Sequence, residues 1–246
     1  MVRCGSRRAA EHDRIHCLLH MSALLDNIVW HTLCGPHAAH AAGSGDARRY
    51  LPGFVPFVGF ADPAHPALPA LASHVEPGEL LYCDGWAGAA PPGWTIVSES
   101  VLCKMTWDGG IPAANNVPDA AVLDARHAAA ALALAALTQP GPFSLKSIAL
   151  GEYLGVFEGS QLVAMAGARV CAGGFREISG VCTHPGFRGR GLARSLVVML
   201  LRRQTQRGEI PFLRVMRDNG DVSRFYRRLG FRDYRESVAR SFSRDA

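Results

Sequence analysis

The run Thr183-His184-Pro185-Gly186-Phe187-Arg188-Gly189-Arg190-Gly191-Leu192-Ala193 constrains this chain more than any other. A β-rich segment, Arg176 to Thr183, leads into it, and a segment with leucines every four residues leads out. The run therefore reads as strand, turn and helix. No Ser, Thr, Asp or Asn stands at the helix start, so the first backbone N–H groups have no side-chain cap. Gly189 and Gly191 allow another molecule to approach those groups closely. The N–H groups and the positive end of the helix dipole make an anion site, and Arg188 and Arg190 add charge around it. A pyrophosphate is the natural occupant. On these residues alone, a solvated arginine-rich loop reads equally well. Neither common nucleotide fingerprint is present: no lysine follows for GxxxxGK[ST], and Ala193-Arg194 stands where GxGxxG needs its third glycine.

The residues around this turn predict a complete layer. Ala120 to Leu123 reads as a short strand, and Asp124 as the cap of a helix through Ala125–Leu137 that Gln139-Pro140-Gly141-Pro142 ends. Tyr153 to Phe157 and Gln161 to Ala168 form a hairpin about Glu158-Gly159-Ser160. The helix after the turn runs to Gln206 and stops at Gly208. Its Leu192, Leu196 and Leu200 face the core, and Arg202, Arg203 and Arg207 sit at its negative end. Pro211 opens a strand from Phe212 to Met216, Asp221 begins a helix through Arg228, and Phe231 opens a last strand. The fold class is α/β: a mixed, mostly antiparallel twisted sheet with helices on both faces. Its one parallel crossover, from 176 to 216, is right-handed.

The first half is less regular. Residues 41–53 and 84–94 read as loops, Phe54 to Ala61 as a buried strand and Pro66 to Val75 as a helix. Leu80 to Cys83 and Thr95 to Met105 read as two further strands. A Gly/Pro/Asn-rich break, Gly109 to Pro118, suggests a boundary between a region 21–117 and a domain 118–246. Met21, followed by Ser22-Ala23-Leu24-Leu25-Asp26, resembles an ordinary protein start, so residues 1–20 are expected to be a disordered upstream extension. No apolar run reaches the roughly 18 residues of a membrane span. Seven scattered cysteines without a CxxC suit free thiols in a reducing cytoplasm. Residues 176–246 hold sixteen arginines against seven acidic side chains. That excess suits nucleic acid or a phosphate-rich small molecule, and the turn favours the second.

Arg188-Gly189-Arg190-Gly191-Leu192-Ala193 resembles the R/Q-x-x-G-x-G/A signature of the GNAT superfamily of N-acetyltransferases. Glu177-Ile178-Ser179-Gly180-Val181-Cys182-Thr183-His184-Pro185 resembles its fourth strand, most closely in the branch of glycine N-acyltransferases. Asp218-Asn219 and Phe225-Tyr226-Arg227-Arg228-Leu229-Gly230-Phe231 resemble its asparagine and its Y-x-x-x-G-F helix. The resemblance covers about residues 118–240 and implies acetyl-CoA as acyl donor, with transfer to a small amine or a protein amine. Strands four and five would splay, with the pantetheine paired to backbone at Val181 and Thr183 and an N–H near Cys182 on the thioester oxygen. Asn219 would bind the pantetheine or order the helix behind it. Tyr226 would protonate the departing thiolate, and Glu177 would take the amine's proton directly or through a water. A non-catalytic acyl-CoA sensor of the same fold is the alternative. The first half faintly echoes the second and is expected to be a degenerate GNAT-like domain shaping the acceptor pocket. A monomer or homodimer is expected, with no nucleic acid and no membrane as partner.

Other reactive residues favour plainer readings. His12, His16 and His20 with Cys17, and His31, His37 and His40 with Cys34, have helical spacing but no paired CxxC, and no metal is expected. His184 reads as structural and Cys182 as a packed thiol. Trp30, Trp86, Trp94 and Trp107 read as core or groove residues.

Overall fold

The computed structural model of the protein describes residues 22–113 and 120–246. The expectations for residues 1–20, including His12, His16, His20 and Cys17, lie outside the described residues.

Two sheets form. The small one contains β1 (Ala41–Ala42), β2 (Ala47–Tyr50) and β3 (Val58–Phe60). The large one contains β4 (Leu81–Asp84), β5 (Trp94–Thr106), β6 (Ala121–Leu123), β7 (Tyr153–Glu158), β8 (Gln161–Ala172), β9 (Phe175–Thr183), β10 (Ile210–Met216) and β11 (Arg232–Arg244). Its order is β4-β11-β5-β10-β9-β8-β7-β6. Among these eight strands, β9 and β10 pair in parallel and every other neighbouring pair is antiparallel. Helices α1 (Ile28–Cys34), α2 (Ala128–Thr138), α3 (Leu192–Gln206) and α4 (Gly220–Leu229) pack around it. This is the expected mixed, mostly antiparallel sheet flanked by helices.

Local chemistry accounts for the element ends. Asp124 accepts from the Arg126 N–H at 2.9 Å, and His127 Nδ1 accepts from the Asp124 N–H, a reciprocal cap of the turn before α2. Gln139 ends α2 in the left-handed conformation. In α3, Leu196 and Leu200 are buried with Leu154, Ile178 and Leu213, while Arg203 and Arg207 pair with Glu152 at its C-terminal end.

The break at 109–118 does not separate two domains, a correction to the boundary expected there. Strand β5, ahead of the break, lies between β10 and β11, both behind it. It pairs with β11 from Trp94 to Thr106 and with β10 from Leu102 to Thr106. Nor does the first half repeat the second. Strands β9 and β10 are neighbours, whereas β11 separates β4 from β5, and β3 belongs to the small sheet. Without β5, both β10 and β11 would present open edges. A chain limited to 120–246 is therefore expected to show no cooperative thermal unfolding by circular dichroism, whereas the whole chain does.

Three smaller differences are local. The helix expected at 66–75 is a 3-10 helix, Leu68–His74. The strand expected at Phe54–Ala61 shrinks to Val58–Phe60, with Phe57 making only an isolated bridge to Tyr82. The loop expected at 41–53 contains β2, whose Arg49 is buried because Glu79 and the His74 carbonyl engage its guanidinium.

Candidate active site

A cleft opens where β9 and β10 part. The two strands pair only between Phe175–Glu177 and Ile210–Phe212. Beyond Glu177, β9 continues along β8 to Thr183, and β10 continues along β5 to Met216. Two residues, Gly180 and Val181, then stand opposite Ala166 alone, and Gly180 has φ +61°. This bulge reverses the facing of the strand. Val181 packs toward α3, while the Cys182 side chain packs with Ala131, Leu134 and Tyr153 beneath α2. Burial pushes the Cys182 thiol up to about 11, so it is an inert packed thiol. The His184 N–H donates to the Val163 carbonyl at 2.8 Å. Ladder alternation then turns the Cys182 N–H toward β8 and the Thr183 N–H toward the cleft.

The glycine turn sits at the open end of this cleft. His184 Nδ1 accepts from the Gly186 N–H at 3.1 Å and caps the 3-10 turn Pro185–Phe187, a structural part for that histidine. Gly189 and Gly191 have φ +79° and +76°, and a Cβ at either would meet nothing within 4 Å. Gly191 occupies the N-cap of α3 and offers no side-chain hydrogen bond. Arg188 and Arg190 are exposed, with the Arg190 guanidinium 4.7 Å from the Phe187 ring centroid. Leu192 packs on the core and anchors the first turn, where Ala193 follows. An uncapped 15-residue helix, an open glycine approach and two cations thus meet at one point.

The opposite wall comes from α4. The Asn219 side chain accepts from the Val222 N–H at 3.3 Å and caps this helix. Val222 and Tyr226, one turn apart, both line the cleft. Tyr226 is buried against Phe225 and Phe231. Burial, with smaller contributions from Cys182 and Glu177, pushes its phenol well above the usual range, so it stays protonated.

Glu177 stands at the vertex, where its carboxylate is already engaged. Arg214 Nε donates to Oε1 at 2.8 Å, and Arg169 Nε lies 3.6 Å from Oε2. The Val170 N–H donates to Oε2 at 3.4 Å, because Arg169 and Val170 bulge opposite Glu177. Burial raises the Glu177 carboxyl, but the two guanidiniums outweigh it and hold the group below its ordinary range. The glutamate expected to act as a base is therefore ionised, ion-paired and weakly basic.

Sequence reasoning missed much of the remaining lining. The cavity of about 810 Å³ extends from Val181, Asn219 and Tyr226 to Tyr82, Ser98 and Ser100 of the first half. Arg169 and Arg214 line it, both stacked on Phe57, with guanidinium carbons 4.6 and 5.1 Å from the ring centroid. A charged residue inside the apolar runs Ala168–Cys171 and Phe212–Met216 was the available signal. None of the four tryptophans lines the cavity: Trp86 and Trp94 are core, and Trp107 packs on Phe231. His37 Nδ1 lies 2.7 Å from the Tyr50 hydroxyl, and no metal-binding group of His, Cys, Asp and Glu occurs among the described residues.

Residues 153–239 match the model of the FR47-like protein family. An acetyltransferase assigned to the GNAT family from Novosphingobium aromaticivorans is 32% identical, covering 90% of this chain and 99% of its own, with a TM-score of 0.81. A GCN5-related N-acetyltransferase from Kribbella flavida is 20% identical over 90% of this chain and 96% of its own, at TM-score 0.58. A GCN5-related N-acetyltransferase-like protein from Streptococcus suis is 16% identical over 88% and 92%, at 0.57. The last two bear on the fold alone. No curated protein matches the sequence. The first likeness spans both halves of the chain, beyond the 118–240 that the motifs cover.

Proposed function

Because the chain belongs to the GNAT family of acetyltransferases, we propose that it transfers an acetyl group from acetyl-CoA directly to the amine of a small molecule or protein. The observation that carries the donor is the turn at Gly189–Gly191, open and uncapped at the start of α3. Its N–H groups, with Arg188 and Arg190, would hold the pyrophosphate. The cleft between β9 and β10 would take the pantetheine, with backbone at Val181 and Thr183 as partners. Asn219 acts through the helix it caps. The Cys182 N–H, turned toward β8, is not the oxyanion donor in this reading; the Thr183 N–H is the better placed candidate.

The amine nitrogen attacks the thioester carbonyl, the C–S bond breaks, and Tyr226 gives its proton to the leaving thiolate. Glu177 serves mainly to position Arg169 and Arg214, and the amine's proton leaves through solvent in the cavity. The glycine N-acyltransferase-like branch is part of this reading and rests on the run from Glu177 to Pro185. The five unpaired cysteines of the described residues support a reducing cytoplasm. No helix among the described residues is long and apolar enough to cross a membrane.

Calorimetry tests the donor. The whole chain is expected to bind acetyl-CoA, and Gly191→Val to weaken binding by about 10²-fold or more, since a branched side chain fills the approach and resists φ +76°. Undiminished binding by a folded Gly191→Val protein would remove this turn from the donor site.

A further inference from the structure

The charges around the cavity do not balance at its vertex. Among the described residues lining it, Asp84 pairs with Lys104 at 3.0 Å and Arg240 with Glu99 at 2.6 Å. Arg169 and Arg214 share the single carboxylate of Glu177. Their side chains are 7% and 9% exposed. Asp84 also attracts Arg214 but is already paired with Lys104, so among the described residues three buried cations face two carboxylates. Among the described residues, two guanidinium nitrogens are buried with no hydrogen-bond partner: Arg214 Nη2, and Arg169 Nε, which stands 3.6 Å from Glu177 Oε2. The remaining bonds hold the pair rigid: Arg169 Nη1 donates to the Pro142 carbonyl at 2.8 Å, and both guanidiniums stack on Phe57.

A buried, uncompensated cation is costly unless something anionic completes it. Guanidinium forks match carboxylates in shape and hydrogen-bond direction, and they discriminate strongly in a site closed to water. Glu177 marks the vertex of the cleft, deep beyond the bulge at Gly180 and far along the strand from the glycine turn. A reactant that reaches this depth is the amine or the acyl group, not the nucleotide end of the donor.

We propose that the cavity takes a reactant bearing a carboxylate, bound at its vertex by Arg214 and Arg169, with Glu177 fixing the two arginines. This rests on the acyl-transfer reading above. The carboxylate can belong to an amino-acid acceptor or to a dicarboxylic acyl group on the donor. In either case the transfer itself is unchanged: the amide bond forms, the C–S bond breaks, and the thiolate takes a proton.

The test uses the whole chain and free-thiol release. One arm compares amino acids with their own carboxamides as acceptors, with acetyl-CoA as donor. Amidation lowers the basicity of the neighbouring amine, so a preference for the acid reports binding. The other arm compares succinyl-CoA with acetyl-CoA on an amine that lacks a carboxylate. A preference of about 10²-fold or more in kcat/KM for the carboxylate form in either arm is expected and identifies its source. Arg214→Gln should bring that ratio toward one, chiefly through KM, and Arg214→Lys should retain part of it. Ratios near one in both arms of the wild-type protein overturn the inference, whatever the variants do. Calorimetry separates the two failures. Donor binding with flat ratios removes the carboxylate site alone, whereas no donor binding removes the acyl-transfer reading as well.

Discussion

Glu177→Gln is expected to lower stability at pH 7 by about 3–5 kcal/mol, the usual loss when one partner of a buried ion pair is removed. Glutamine keeps the shape and the oxygen that accepts from Val170, but it removes the carboxylate that pairs with both buried arginines, Arg169 and Arg214. The pH dependence carries a definite sign. The folded carboxyl is held below its ordinary value of 4.5, because the arginines outweigh burial. Its contribution is therefore complete above that value and is lost as pH falls through the lower folded one. Denaturant unfolding should show a wide gap between wild type and variant at pH 7 and a narrowing gap as the pH drops below 4.5. Equal stability at pH 7 would mean that the pairing does not hold in solution. The same protein separates two roles in catalysis. A general base would give wild type an acid limb in kcat that the variant lacks. A positioning residue leaves that limb unchanged and raises the KM of the reactant at the vertex, which is the expected outcome.

The parts of the fold that sequence made legible are those decided by neighbours in the chain. The leucine period of α3, the cap at Asp124 and the hairpin about Gly159 each depend on residues within a few positions, and each formed as expected. The place of β5 depends on pairing across more than a hundred residues. Its pattern marks it as a strand but carries nothing about which partner fills each edge, so the glycine-rich break after it read as a boundary. The turn of the candidate site was legible for the same local reason as α3. The vertex was not. Glu177, Arg169 and Arg214 come from three strands; a bulge at Arg169–Val170 sets those two residues opposite Glu177, and a second at Gly180–Val181 reverses the facing of β9 beyond it. A bulge shifts facing by one residue, so simple alternation along β8 and β9 misassigns what points where.

Tyr226→Phe is expected to lower kcat by about 10²-fold or more while leaving acetyl-CoA affinity within a factor of a few. The ring sits among Phe225, Phe231 and the cluster beneath α3, so removing only the hydroxyl keeps every aromatic contact and the helix that Asn219 caps. Stability should change little, and a lower rate then reports on the hydroxyl itself. That hydroxyl stays protonated throughout the working pH range, because burial pushes it well above an ordinary phenol. It can therefore donate a proton to a thiolate, and its own ionisation should add no alkaline limb below pH 10. A thiolate is a tolerable leaving group even without an acid, which is why loss of the donor should slow turnover rather than abolish it. Single-turnover rates from rapid mixing, read by thiol release, separate this step from product release. Equal single-turnover rates would remove Tyr226 as the acid. A fall in acetyl-CoA affinity with unchanged kcat would make it a binding residue of the cleft wall instead.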